Sequence, residues 1–305
     1  MMKIIECVPN FSEGRDKDKV ASIVEAASGV SGVKVIDFSM DSDHNRSVLT
    51  IIGTPEDVER GAAAACDRAL KLIDMRKHSG IHPRIGAVDV VPFVPIRGAD
   101  MKEAVEAAHR FGRAFGERNN IPVYFYGEAA LDPKRRELSD IRRGGYEGLS
   151  EKMKDPLWIP DAGPAIFSPR GGAVSVGARN PLIAFNINLD TNDLDVAKTI
   201  AKSVRYSSGG LKYVKAISIP LKSRHIVQVS MNLANYKETS VKKVFDTVKE
   251  KASEHGVEIL ESELIGLIPE AALEDVTTDY LKLSDFSPER IIETHLPRSI
   301  DTHLK

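Results

Sequence analysis

One order of elements runs through this chain twice, and it narrows the fold more than any composition does. Residues 3–9 read as a strand, apolar at Ile4, Ile5, Cys7 and Val8. A loop, Asn10-Phe11-Ser12-Glu13-Gly14-Arg15, brackets one aromatic with turn formers. Residues 16–28 then carry Val20, Ile23, Val24 and Ala27 at helical spacing, stopped by Gly29. Strands follow at 33–38 and 47–53, joined by the polar connection Asp41-Ser42-Asp43-His44-Asn45-Arg46. Thr54-Pro55-Glu56-Asp57 supplies an N-cap, a first-turn proline and two acids, so a helix is predicted to about residue 75. A further strand starts near Ala87. This is β-α-β-β-α-β, the ferredoxin-like split unit, extended by a helix over 101–118 and a strand over 122–127.

The same order returns after an interruption. Strands are predicted at 182–190, 213–220, 225–233 and 257–265, with helices at 193–206 and 239–255 and a last helix near 269–281. Between the two runs, residues 128–180 hold Asp132-Pro133, Gly144-Gly145, Asp155-Pro156, Pro160, Gly163-Pro164, Pro169 and Gly171-Gly172. Trp158, Ile159 and Phe167 argue for an ordered crossing segment there. The 305 residues suit two domains of about 150 each. The expected fold is therefore α+β, with two ferredoxin-like subdomains at 1–180 and 181–305. No residue-level repeat accompanies the repeated architecture.

Charge and cysteine usage remove several functions. A net charge of −2 gives no electrostatic case for nucleic acid or an anionic membrane. Cys7 and Cys66 lack metal-ligand spacing and read as reduced core residues. The N-terminus shows neither a signal peptide nor a spanning segment, so the expected location is cytoplasmic. There is no GxGxxG after a strand and no GxxxxGK[ST] for phosphate, and Gly-x-Ser-x-Gly is absent. His78 and His82 are four apart, but Pro83 denies them the shared helix face that zinc would use. No metal is expected.

The densest chemistry lies in Ile81-His82-Pro83-Arg84-Ile85-Gly86-Ala87-Val88-Asp89. Pro83 restricts His82 to extended conformations, so the imidazole sits on a rigid approach to a strand. A histidine so mounted suits a general base at neutral pH; the plainer reading is a structural histidine in a proline-rich loop. A second feature is a pair of alternating strands. Asn186 and Asn188 share one face of the strand over 182–190. Gln228, Ser230 and Asn232 do the same on the strand over 225–233. These amides and hydroxyls line a groove if the two open sheet faces meet, or an ordinary solvated face if they do not.

Several long motifs resemble the formiminotransferase family. They include Glu6-Cys7-Val8-Pro9-Asn10-Phe11-Ser12-Glu13-Gly14, Asn45-Arg46, Leu72-Ile73-Asp74-Met75, and His82-Pro83-Arg84 through Asp89. Others are Pro122-Val123-Tyr124, Pro160-Asp161, Gly177-Ala178-Arg179, Gln228-Val229-Ser230, Gly266-Leu267-Ile268-Pro269 and Arg290-Ile291-Ile292-Glu293. The resemblance spans nearly the whole chain and leaves no room for a cyclodeaminase part. It implies two similar subdomains with a folate groove between them, a homodimer, and a place in histidine catabolism and one-carbon metabolism.

Carried over by motif, His82 resembles the family's catalytic histidine. Gly163-Pro164-Ala165-Ile166-Phe167-Ser168-Pro169-Arg170-Gly171-Gly172 resembles its folate-binding segment, and Asn186, Asn188 and Gln228 join it as candidates. Ile81 stands where many members have Glu, and Arg170 where the animal enzymes have Trp. The implied reaction moves the formimino group of N-formimino-L-glutamate to N5 of tetrahydrofolate. A carboxylate among Asp37, Asp41 and Asp89 would hold the cationic amidine. Arg46, Arg84 and Arg179 are candidates for glutamate's carboxylates, since guanidinium grips carboxylate bidentately. Two alternatives stand beside this: formyl transfer between 5-formyltetrahydrofolate and glutamate, and a folate-binding module without catalysis, which the intact His82-Pro83-Arg84 disfavours.

Overall fold

In the computed structural model, which describes residues 2–80 and 82–296, the chain divides into two units, one ending at Arg179 and one starting at Asn180. The first opens with Ile4–Cys7 (β1), which breaks at Val8-Pro9 and resumes as Asn10–Phe11 (β2). Pro9 has no N–H to give a ladder, so one central strand is split in two. The second half lies where the sequence predicts only a loop. Lys17–Ser28 (α1) follows, capped by Asp16, then Lys34–Asp41 (β3) and Arg46–Gly53 (β4). Pro55–Leu72 (α2) starts at Thr54, whose hydroxyl accepts from the Asp57 N–H, as predicted from the local residues. Val88–Arg97 (β5), Met101–Asn119 (α3) and Val123–Gly127 (β6) complete the regular part.

The sheet of this unit runs β3, β4, the β1/β2 strand, then β5, with antiparallel neighbours throughout. The helices α1, α2 and α3 cover one face. Ile23, Ala62, Ala65, Phe111 and Phe115 meet Ile5, Cys7, Leu49, Ile51, Val91 and Phe93 there in one buried core.

The stretch beyond β6 holds more structure than an irregular crossing. It contains Leu138–Arg142 (α4), Gly145–Lys152 (α5) and a strand, Val174–Ala178 (β7), which lies between β5 and β6, parallel to both. The sequence conceals β7 because all five of its residues are buried, so no polar alternation marks it. Ile141 and Leu149 pack with Val90, Tyr124 and Tyr126 on the sheet face away from α1–α3. The 128–173 stretch is thus an ordered cover over one end of that face.

The second unit comprises Ile183–Leu189 (β8), Leu194–Val204 (α6), Val214–Leu221 (β9), Ile226–Leu233 (β10), Val241–Glu254 (α7) and Ile259–Ile265 (β11). Its sheet order is β11, β8, β10, β9, all antiparallel. By chain order within the unit this is fourth, first, third, second. The strands β5, β1/β2, β4 and β3 of the first unit stand in the same order. Phe185, Ile187, Val229, Met231 and Phe245 lie in a separate core. The helix predicted near 269–281 is one 3₁₀ turn, Glu270–Leu273. Beyond it, Val276-Thr277-Thr278-Asp279 is rich in residues with low helix propensity, and the Thr277 hydroxyl accepts from the Tyr280 N–H to form a turn instead. Among the described residues no helix is long and apolar enough to cross a membrane.

Candidate active site

His82 reaches its position through hydrogen bonds at both ends of its loop. On one side, Asn45 sits at a left-handed φ of 50°. Its side chain accepts from the Gly14 N–H and donates to the Ser79 carbonyl, both at 2.9 Å. Arg84, eight per cent exposed, donates to both Glu147 oxygens at 2.6 and 2.9 Å and to His78 Nδ1 at 3.2 Å. Guanidinium can only donate, so His78 Nδ1 accepts and its Nε2–H points to the Asn45 carbonyl at 3.0 Å. That bonding fixes a neutral His78, whose pKa burial and Arg84 both lower.

The same reasoning sets the His82 tautomer. Nδ1 lies 2.7 Å from the Pro83 carbonyl oxygen, which can only accept, so Nδ1 carries the hydrogen and Nε2 keeps its lone pair. Burial, then Arg46 and Arg142, lower the His82 pKa to about 4 against the weaker opposing pulls of the Pro83 carbonyl and Asp89. The ring is therefore a neutral base at pH 7. His44 stands edge-on to it at 5.9 Å between centroids, with its own Nδ1 2.6 Å from Asp41 Oδ2.

Asp89 owes its place to an irregularity in the sheet. Asn10 pairs with Val90 but Phe11 with Val88, so Asp89 is the extra residue of a bulge, a device that re-aims a side chain. Its carboxylate is fully buried. Oδ1 accepts from the Ile85 N–H at 3.0 Å; Oδ2 accepts from Arg46 at 2.6 Å and also from Arg142. Burial alone would raise this carboxyl, but Arg142 and Arg46 outweigh it and hold it below its usual range. Arg46 also donates to Asn10 Oδ1 at 2.8 and 3.1 Å.

The structure thus gathers His82, Arg46 and Asp89, with Asp41 one histidine away. Asp37 lies on β3 opposite Thr50, four strand residues or roughly 13 Å from Asp41. Arg84 is engaged by Glu147, and Arg179 donates to the Tyr126 phenol. Ile81 lies outside the described residues. Arg142, Glu147 and Asn10 are cluster members that sequence reasoning missed. Arg142 comes from a stretch with no periodicity and reaches Asp89 only because α4 folds over the sheet. Lys152 fastens that helix end, donating to the carbonyls of Asp140 and Ile141 at 2.7 Å with its ammonium 3.6 Å from the Trp158 ring centre.

Residues 163–172 are tied to the approach of His82. The Gly171 carbonyl accepts from Ala87 N–H at 2.9 Å, and Ala173 N–H donates to the Ile85 carbonyl at 3.0 Å. Gly172 has φ +72°, and a Cβ there would overlap the Ile85 carbonyl oxygen. Phe167 leans on Tyr146 at 5.6 Å, while Ile166 is 74% exposed. A cavity of about 460 Å³ lies at the start of this segment, lined by Arg113, Glu117, Asn120, Asp161, Gly163 and Pro164 among others. Arg170 turns to the end of α2, donating to the Lys71 carbonyl at 2.6 Å. In the second unit, Asn188 donates to Glu261 and Glu263 at 3.0 and 2.9 Å, and Gln228 donates to Asn188 and Glu263 at 2.9 and 3.0 Å. Asn186 lies beside them on β8, and Ser230 and Asn232 further along β10. The two glutamates alternate on β11, where the sequence predicts a strand but does not reveal their pairing with the amides.

Comparison with known proteins matches the formiminotransferase domain, N-terminal subdomain, over residues 4–179 and the formiminotransferase domain over 184–295. The chain is 43% identical to a glutamate formimidoyltransferase of Streptococcus pyogenes serotype M1, covering 97% of this chain and 99% of that one. Another of that name, from Thermoplasma acidophilum, is also 43% identical, with 98% and 99% covered. A formimidoyltransferase-cyclodeaminase of Rattus norvegicus is 43% identical over 92% of this chain but only 53% of its own length.

Proposed function

The chain belongs to the formiminotransferase family, and from that premise we propose that it is a glutamate formimidoyltransferase. N-formimino-L-glutamate and tetrahydrofolate are its substrates; 5-formiminotetrahydrofolate and glutamate are its products. The observation that carries this reading is the near full-length identity to two proteins of that name, joined to a neutral His82 with a free Nε2 lone pair. The formyl alternative has no comparable support.

In the proposed reaction, N5 of tetrahydrofolate attacks the amidine carbon and His82 Nε2 takes the N5 proton. The imidazolium then returns that proton to the departing glutamate nitrogen, so one residue serves both steps without net proton change. A base so placed contributes about 10²- to 10⁴-fold, and alignment of the two substrates supplies more. Asp89 keeps Arg46 in place, and the His78–Arg84–Glu147 bonds keep the loop from drifting. The candidates for folate contact are residues 163–172 in the first unit and Asn186, Asn188 and Gln228 in the second. The reading carries with it ferredoxin-like units, which the fourth-first-third-second strand order supports, and a cytoplasmic homodimer acting in histidine catabolism.

An assay of purified protein with tetrahydrofolate and either formiminoglutamate or a formyl donor tests the function. Formation of 5-formiminotetrahydrofolate with formiminoglutamate is the expected result. Transfer from the formyl donor alone would reject the reading.

A further inference from the structure

The cluster beside His82 holds more positive charge than its one carboxylate balances. The Asp89 side chain is fully buried, and those of Arg46 and Arg142 are 11% and 14% exposed. Both guanidiniums converge on the same oxygen, Oδ2. Each has five N–H donors, and Nε of Arg142 is buried with no hydrogen-bond partner among the described residues. Two buried cations against one anion are costly unless a second anion joins them. The charged and titratable groups facing His82 are Arg46 from β4, Asp89 from β5, Arg142 from α4 and His44 from the turn between β3 and β4.

We propose that Arg142, together with Arg46, forms a carboxylate-binding site beside His82, and that in the reaction it receives a carboxylate of the glutamate half of the donor. This rests on the transferase reading above. The shared chemistry is a carboxylate, which both substrates carry, and connectivity favours the amino acid. Its α-carboxylate is on the carbon that bears the formimino nitrogen, whereas the carboxylates of folate are separated from N5 by the aminobenzoyl ring. A site next to the base therefore suits glutamate. The arrangement has a consequence for the base itself. A carboxylate on the two guanidiniums cancels part of the field that, after burial, holds His82 neutral, so donor binding strengthens His82 as a proton acceptor at the moment it is needed.

The test uses the full chain with isotope-labelled histidine and L-glutamate, the reaction's product, as the probe. Saturating L-glutamate should raise the His82 titration midpoint by about one unit, as removal of a neighbouring like charge does. In Arg142→Met the midpoint without ligand should already be higher and the response to glutamate lost. The KM for formiminoglutamate should rise about tenfold or more in that variant, while the affinity for 5-formyltetrahydrofolate stays within about twofold. Arg142→Lys, which keeps the charge without the planar fork, should fall between. A wild-type His82 that ignores glutamate, or an Arg142→Met variant that loses folate affinity and keeps its formiminoglutamate KM, overturns the proposal. If wild type transfers the formimino group and Arg142→Met is unimpaired, this inference alone falls. If wild type transfers nothing, the functional reading falls with it.

Discussion

In the proposed reaction His82 is the base, and two separate physical facts prepare it. The Pro83 carbonyl selects the tautomer, and burial with Arg46 and Arg142 keeps the ring uncharged. Replacing it by alanine removes the base but not the residues proposed to hold folate. His82→Ala should therefore lose about 10²- to 10⁴-fold in kcat while 5-formyltetrahydrofolate still titrates normally. More than about a tenth of wild-type kcat in that variant would rule out the role. The ring should also titrate near pH 4 by NMR rather than at 6.5. Because its folded pKa is below the unfolded one, the unfolded chain binds more protons between those values. Stability should accordingly fall as pH drops from about 6.5 to about 4, and His82→Gln should flatten that slope in acid-denaturation curves.

Among the elements, the segment 163–172 is tied to the residues leading into β5. Gly172 is the pin, since its φ of +72° and the Ile85 carbonyl leave no room for a Cβ. Gly172→Ala should destabilise the protein by about 1–3 kcal/mol through backbone strain, read as a lowered melting temperature. It should also lower kcat, because Ile85 and Ala87 carry the strain toward Asp89 and His82. An unchanged melting temperature would show that this contact is not a constraint. Arg170 plays a smaller part at the end of α2, where its cation meets the Lys71 carbonyl. Arg170→Ala should cost about 0.3–1 kcal/mol, the usual worth of a cation at a helix C-terminus, and the loss should shrink in high salt. A chemical denaturation series at two ionic strengths would reveal it.

At the scale of the molecule, each unit has its own buried core, Phe93 and Phe111 belonging to one and Phe185 and Phe245 to the other. Each unit carries the order β-α-β-β-α-β, and the first core also takes in α3, β6 and β7. Fragments 1–179 and 180–305, expressed separately, should both unfold cooperatively in urea. A fragment lacking a sigmoidal transition would show that its core depends on the rest of the chain.

Local residues determined much of this. Thr54 and Pro55 started α2, Gly29 ended α1, alternation on β8 and β10 sorted amides from apolar side chains, and Pro83 kept His82 off a helix. These signals act within a few residues, so the sequence states them directly. The family, too, was legible in motifs such as His82-Pro83-Arg84. What only the tertiary structure decided lies where contacts span long separations. Strand β7 is buried on both faces and leaves no periodic trace. Arg142 joins Asp89 across fifty-three residues, and Glu147 meets Arg84 across sixty-three. Side-chain charge is written in the sequence, but which charges share one enclosure depends on the path of the chain. The proton affinity of His82 follows from that enclosure.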